Sequence, residues 1–321
     1  MGLRKGGIRI GRPLLYLQLL FVMIMWGFNV IAIKVIVGEF SAITITSLRI
    51  LLAAIVVWLI LWWKKQIFLP KKHEVIYIFL ASLTGVVAHH FFLALGLTKT
   101  TASNTGLILG TVPLATSIFA AIFLKEHLSF LRSIGTALGL IGVSIIVLVN
   151  HSGTLKIEVG DIYIFIAVIV QALSFIYIKK ASATMEARAL TGSMLIIGSL
   201  MLFLISLIME PNGLSSLKDG TVLGWSALLA SGVLATGIGQ FLYNHAIQKI
   251  GAGKAAIFLN LTPFFALLGS YLFLNENITI SHFLGFLLII ISVFLGSGLA
   301  DQYYNRKRTE NIEQFIKSGK H

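Results

Sequence analysis

TVPLATSIFAAIFLKE (Thr111–Glu126) is apolar almost throughout, yet it carries Pro113 near its start and closes on a lysine–glutamate pair. TPFFALLGSYLFLNE (Thr262–Glu276) repeats the pattern 150 residues later, with Pro263 and Glu276 in the matching places. Proline lacks a backbone N–H and clashes with the carbonyl four residues back. Each run therefore reads as a membrane helix kinked at a fixed point, with the carbonyls of Leu109 and Leu259 in need of other partners. Such a break is tolerated at membrane depth only beside protein or a watery cavity. Of the five prolines, Pro13, Pro70 and Pro211 fall in loops or at span ends, so only this pair lies inside spans.

Sliding the chain on itself extends the match. At the same offset Lys99 falls on Lys249 and Gly135 on Gly285, and ten of fifty positions agree between 93–142 and 243–292. Leucine and isoleucine matches carry little weight in so apolar a chain. Lysine, proline, glutamate and glycine in fixed order without a gap carry more, and they mark an internal duplication.

Composition sets the class. The 321 residues are 57% hydrophobic and 12% charged, with a mean hydropathy of +0.93, whereas a soluble domain is about 25% charged. Apolar runs of about 20 residues, enough to cross a bilayer, recur from end to end. They place spans near 14–37, 44–63, 75–97, 103–124, 132–150, 161–179, 190–209, 221–246, 254–274 and 280–298. The expected fold is an all-α integral membrane protein of ten transmembrane helices, arranged as two inverted five-helix repeats. The first occupies 15–150 and the second 160–299, with a cytoplasmic tail at 300–321. Five is odd, so the second unit enters the membrane in the opposite sense. Inverted repeats with breakers at matching positions are characteristic of secondary transporters.

The net charge of +13 would suggest nucleic acid in a soluble chain. Its placement gives another meaning. With the N-terminus inside, the cytoplasmic segments hold twenty lysines and arginines and the external loops three, Lys99, Lys156 and Lys218. The positive-inside rule then puts both termini in the cytoplasm of a multi-pass cell-membrane protein. The basic N-terminus reads as the start of an uncleaved first span, because the apolar stretch after it is too long for a signal peptide and lacks a small-residue cleavage pattern. With no cysteine, thiol catalysis, disulfides and thiolate metal sites are excluded. No GxxxxGK loop is present, so transport is facilitated or secondary and not ATP-driven. The expected partners are a small-molecule substrate and the bilayer, with no nucleic acid, metal or cofactor.

Three stretches carry a family likeness: MWGFNVIAIK (Met25–Lys34), SLRILLAA (Ser47–Ala54) and ALGLTKTTASNTGLILGTVPLATSIFAAIFLKEHLSFLRSIGTALGLIGV (Ala94–Val143). They resemble the EamA-type unit of the drug/metabolite transporter superfamily. The second unit matches through NHAIQKIGAGKAAIFLNLTPFFALLGSYLFLNENITISHFLGFLLIIISV (Asn244–Val293), and the likeness covers residues 15–299. It implies ten helices around a central cavity and, usually, export of amino acids, metabolites or drugs. The two units differ where Leu173–Ser174 replaces Trp26–Gly27, and no arginine matches Arg49.

Polar side chains within spans usually face inward, since a central charge costs about 2.5 to 3.5 kcal/mol. The expected substrate-binding set is therefore read from the polar faces of the spans. Trp26 and Asn29 share a face of the first, and Asn104 and Thr111 form a stripe leading to Pro113. Gln171, Ser174 and Tyr177 follow one another on the sixth span. Thr236, Gln240, Tyr243 and Asn244 form the densest polar face, on the eighth, and Asn260 precedes Pro263. Each could equally be a helix–helix hydrogen bond, worth ~0.6 to 2 kcal/mol; together they suit a small amphipathic molecule. His89 and His90 stand about 100° apart on a helix, so at most one is expected to face the cavity. It would serve as a neighbouring helix's partner, a substrate contact or a proton carrier. Arg49 either snorkels to the interface or meets a substrate carboxylate or an inter-repeat carbonyl. Pro113 and Pro263 are expected to shape moving elements. Glu126 and Glu276, at span ends, are read as structural partners of loops or helix termini. Gly135, Gly139 and Gly142 allow close backbone packing.

An uptake or exchange carrier of the same fold is the alternative. A membrane-embedded lipid-modifying enzyme would need a clustered acid, base or metal set, and His89, His90, His245 and Arg49 are scattered along the chain without a carboxylate. The orientation is directly testable in this cysteine-free chain. Ser152→Cys and Ser215→Cys should react with an impermeant thiol reagent from outside intact cells, and Ser129→Cys and Ala183→Cys should be protected. The reverse pattern would overturn the topology.

Overall fold

A computed structural model describes residues 12–66, 70–124, 130–148, 158–250, 255 and 258–296, and their regular structure is helical throughout. Glu126 and the tail at 300–321 lie outside the described residues. Helix α1 spans Arg12–Glu39 and α2 Ala42–Trp63. Next come α3, Val75–Lys99, α4, Ala102–Leu109, α5, Val112–Leu124, and α6, Phe130–Leu148. The second half runs through α7, Val159–Ala181, α8, Ala187–Met209, α9, Val222–Lys249, α10, Thr262–Leu274, and α11, Ile280–Gly296.

Among the described residues, seven helices are long and apolar enough to cross a membrane, α4 and α5 counting as one; Leu259–Leu274 and Ile280–Ser292 are shorter apolar helices. Large apolar side chains cover the outside of the bundle, with Trp63, Ile208 and Val222 at least 80% exposed. A water-facing surface does not carry so much apolar area, and a hydrocarbon-facing one requires it.

The prolines do not kink continuous helices. Helix α4 stops at Leu109, and Pro113 is the second residue of α5. Pro263 is likewise the second residue of α10, after a 3-10 turn at Leu259–Leu261. A first-turn N–H has no partner within its own helix, so proline is at ease there and presets the backbone angle. Each proline starts a half-helix. The two junctions also meet in space. A Cβ on Gly110 would fall 2.5 Å from Pro263 Cγ, and one on Gly106 would fall 2.3 Å from Ala266 Cβ. No side chain fits at either glycine, and the absence of one lets the two breaks approach.

Two further irregularities obey the repeat. Helix α3 widens into a π-helical stretch at Leu83–Ala88, and α9 does so at Ala230–Gly239. The offset of 150 carries 83–88 onto 233–238, inside the second stretch. Packing follows the same symmetry: α6 lies along α11 and α2 along α8, each against its own counterpart. Helix α1 packs on α10 as α7 packs on α5. Most of the core is thus shared between the halves, with Leu19, Met23 and Ile50 in one cluster with Ala167, Leu190 and Ala266. Gly139 and Gly142 sit at the α6–α11 seam, where Cβ atoms would meet Ser292 Oγ at 2.4 Å and Gly285 O at 3.1 Å.

Candidate functional site

A cavity of about 120 Å³ lies among α1, α3, α7 and α9, far more than the roughly 10–15 Å³ that one water needs. Both helix breaks border it: Leu109 and Val112 flank the first, and Leu259 and Thr262 the second. Seven residues singled out by sequence line it, namely Trp26, Asn29, His89, His90, Gln171, Thr236 and Gln240. A smaller adjoining cavity shares His90, Gln171 and Gln240 and adds Ser174.

The wall is built by contacts between the repeats. The Trp26 indole N–H donates to Ala235 O at 2.8 Å, within the π stretch of α9. Behind it, the buried Tyr243 ring packs 4.9 Å from Trp26 and 6.0 Å from Phe175. The corresponding contact in the other half pairs Ser174 with the π stretch of α3, where a Cβ on Gly85 would fall 2.6 Å from Ser174 Oγ. A large indole on one side faces a small hydroxyl on the other, so the two halves shape the cavity unequally.

Both histidines border the cavity, where the spacing on a regular helix led us to expect one. They follow the π stretch at Leu83–Ala88 and their rings pack edge to face at 4.8 Å. His89 Nδ1 lies 3.0 Å from Ala167 O, and a carbonyl only accepts, so this nitrogen carries the hydrogen. Arg49 is buried in full, neither at the interface nor on a carbonyl. Its guanidinium donates to Thr236 Oγ1 at 2.7 Å and Ser231 Oγ at 3.2 Å, and faces His90 Nδ1 at 3.1 Å. Residues far apart in sequence are therefore clustered here, although without a carboxylate. Among the described residues no group of three metal-ligating side chains occurs.

The remaining predicted residues lie elsewhere. Asn244 is buried and donates to Thr191 Oγ1 at 2.7 Å, tying α9 to α8. Thr111 donates to Ile108 O at 2.6 Å and borders a separate apolar cavity beside Leu114 and Ile118. Tyr177 packs on the apolar core. Asn260 occupies the 3-10 turn before α10. Asn104 belongs to a polar cluster at one end of the bundle: its amide donates to Asp161 Oδ1 at 3.2 Å, and its Oδ1 is 2.9 Å from His282 Nε2.

That end is fastened by charged groups on helix starts. Glu276 accepts from the N–H groups of Ala102 and Ser103, both at 2.8 Å, where α4 begins. Glu210 does the same for Ile43 and Thr44 at the start of α2, at 3.1 and 2.8 Å. Glu39 accepts from Thr221 N–H at 3.0 Å before α9. Lys34 donates to Leu97 O and Thr100 O, at 2.7 and 2.6 Å, at the end of α3. Carboxylates satisfy unpaired N–H groups and favour the positive end of the helix dipole, as the ammonium does the carbonyl end. Asp161, Lys34, Glu39, Glu210 and Ser231 escaped the sequence reading. The signal for the acidic residues was present: each sits within a few residues of a span end.

Duplicated helices around a cavity that both halves line define a multi-pass membrane transporter. The sequence profile of the EamA-like transporter family matches residues 14–148 and 158–298, one match to each repeat, and the chain belongs to this family. It is similar to the uncharacterized transporter YyaM of Bacillus subtilis, with 29% identity over 308 residues covering 93% of this chain and 98% of that protein. The uncharacterized transporter YetK of the same bacterium is 28% identical over 298 residues, covering 91% and 89%. A solved crystal structure at 15% identity shares the fold, with a TM-score of 0.67 over 89% of this chain and 98% of that one. These similarities indicate a transporter and not an enzyme.

The placement of Gln240 and Asn244 separates their expected effects. Gln240→Ala should lower transport about tenfold, equivalent to ~1.4 kcal/mol, without lowering the melting temperature. Asn244→Ala should instead destabilise the protein by ~0.6 to 2 kcal/mol, and adding Thr191→Ala should cost little more. A transport defect in Asn244→Ala at unchanged stability would contradict the assignment.

Proposed function

We propose that this transporter exports amino acids or related small metabolites across the cell membrane by alternating access of the central cavity. On this reading ten helices cross the bilayer as two five-helix repeats, over 15–150 and 160–299, set in opposite senses with both termini in the cytoplasm. The observation that carries the proposal is the position of the two helix breaks. Both border one cavity, they touch each other, and they belong to different repeats. A relative movement of the repeats would therefore reshape the cavity from both sides at once.

Further features support the reading. Helix α6, Phe130–Leu148, has 19 residues, about the length of a crossing, and its counterpart is α11. The twenty-to-three charge bias supports the orientation. On that orientation the end fastened by Glu39, Glu210 and Glu276 faces the outside. Indole, imidazole and amide groups interleave with Val30, Ile33 and Leu93 on the wall, a lining suited to a small molecule with one polar and one apolar end. Export as the direction, and amino acids as the class, rest on the family resemblance.

Counterflow tests this function. Purified protein in proteoliposomes preloaded with unlabelled amino acids should transiently concentrate the labelled form of at least one of them without ATP. No counterflow with any amino acid, from protein that keeps its fold, would overturn the proposal.

A further inference from the structure

Arg49 is 1% exposed, and among the described residues no carboxylate answers its charge. Its partners are neutral: Thr236 Oγ1, Ser231 Oγ and His90 Nδ1. A guanidinium has five N–H donors and no acceptor. Every partner must therefore accept from it, which fixes where that partner's own hydrogen points.

Thr236 Oγ1 accepts at 2.7 Å, leaving its O–H to donate elsewhere. His90 accepts at Nδ1, so its ring hydrogen sits on Nε2. Ser231 Oγ accepts from Arg49 and passes its hydrogen to Asn29 Oδ1, which leaves the Asn29 NH₂ group as the free end of that amide. Thr236, His90 and Asn29 all line the main cavity, and Arg49 does not. None of the three outward hydrogens has a protein acceptor among the described residues. One buried cation thus sets three donors facing a single cavity, and it lends them positive character from behind the wall.

We infer that this wall is an anion subsite that receives the carboxylate group of the substrate, with His90, Thr236 and Asn29 as donors and Arg49 as the positioning residue behind them. A carboxylate matches the site in charge, one negative against one positive, and its two oxygens offer about four acceptor positions for hydrogen bonds. The subsite is confined to one half. Helices α2 and α8 begin at Ala42 and Ala187, which carries Arg49 onto the apolar Met194, and at the offset of 150 Thr236 falls on Val86. The substrate is consequently held in one orientation, with its carboxylate toward α2 and α9. His89, bonded through Nδ1 to Ala167 O, lines the same cavity.

The inference rests on reading the cavity as the transport site, and its test separates the two. Three probes share a branched aliphatic tail suited to Val30, Ile33 and Leu93: L-leucine, L-leucinamide, which lacks the carboxylate, and 4-methylpentanoate, which lacks the amine. Calorimetric titration of the purified protein should show leucine and 4-methylpentanoate binding at least about tenfold more tightly than leucinamide, ~1.4 kcal/mol. Asn29→Asp puts a second anion on the wall, and Thr236→Val removes a hydroxyl at nearly constant shape. Each should reduce that preference at least about threefold at an unchanged melting temperature. These two variants carry the test if Arg49→Gln fails to fold. Equal binding of amide and carboxylate by the wild type, no binding of any probe, or a preference unchanged in both variants would overturn the subsite. Carboxylate-selective binding without counterflow in proteoliposomes would uphold the subsite and defeat the transport reading. Counterflow of amino acids and their amides alike would do the reverse.

Discussion

Within a bilayer no water completes an interrupted helix, so each backbone group released by a break must find a partner in the protein or a cavity. Much of this structure answers that constraint. Helices α4 and α10, from different repeats, meet at Gly110 and Pro263, where the two breaks border a common cavity. Trp26 bonds a carbonyl in the widened turn of α9. At one end of the bundle, Glu39, Glu210 and Glu276 take up N–H groups at the starts of three helices. These acidic residues thus serve helix starts at one end of the bundle, apart from the two breaks.

Duplication supplies the frame, and divergence supplies the chemistry. Helices pack in symmetric pairs, and the breaks and π stretches recur at matching positions. The side chains placed there do not match. Trp26 faces α9 where Ser174 faces α3, and Arg49 stands where the other half has Met194. A scaffold of matched halves can exchange two arrangements at similar energy, while an unequal lining holds a small molecule in one orientation. Those two properties together suit a carrier better than a symmetric pore.

The fold was legible where a residue has the same meaning in any surroundings. Pro113 and Pro263 mark a break whatever flanks them, and their spacing exposed the duplication. Apolar run length located the membrane helices. The candidate site was legible in part, through Trp26, Asn29, His89, His90, Gln171, Thr236 and Gln240 on the cavity wall. What escaped depends on departures from the regular helix. The π stretch of α9 carries Ser231 to Arg49, so extrapolation at 3.6 residues per turn fails there. Asn244 stands one turn past Gln240 on a similar face, yet at that level the neighbour is Thr191 and not the cavity. Depth along a helix, which periodicity does not encode, decided between the two. The prolines were placed correctly and their effect was not, because the turn ahead of each had already ended the preceding helix.

The central claim is that one cavity between the two halves serves both faces of the membrane. The most direct measurement uses Val30→Cys, which puts a single thiol on the cavity wall of an otherwise cysteine-free chain. Right-side-out and inside-out vesicles are treated with an impermeant thiol reagent, with and without a transported amino acid on the opposite side. The account predicts labelling from either side, with the ratio shifting when the amino acid is added. Labelling from one side only under every condition would contradict it.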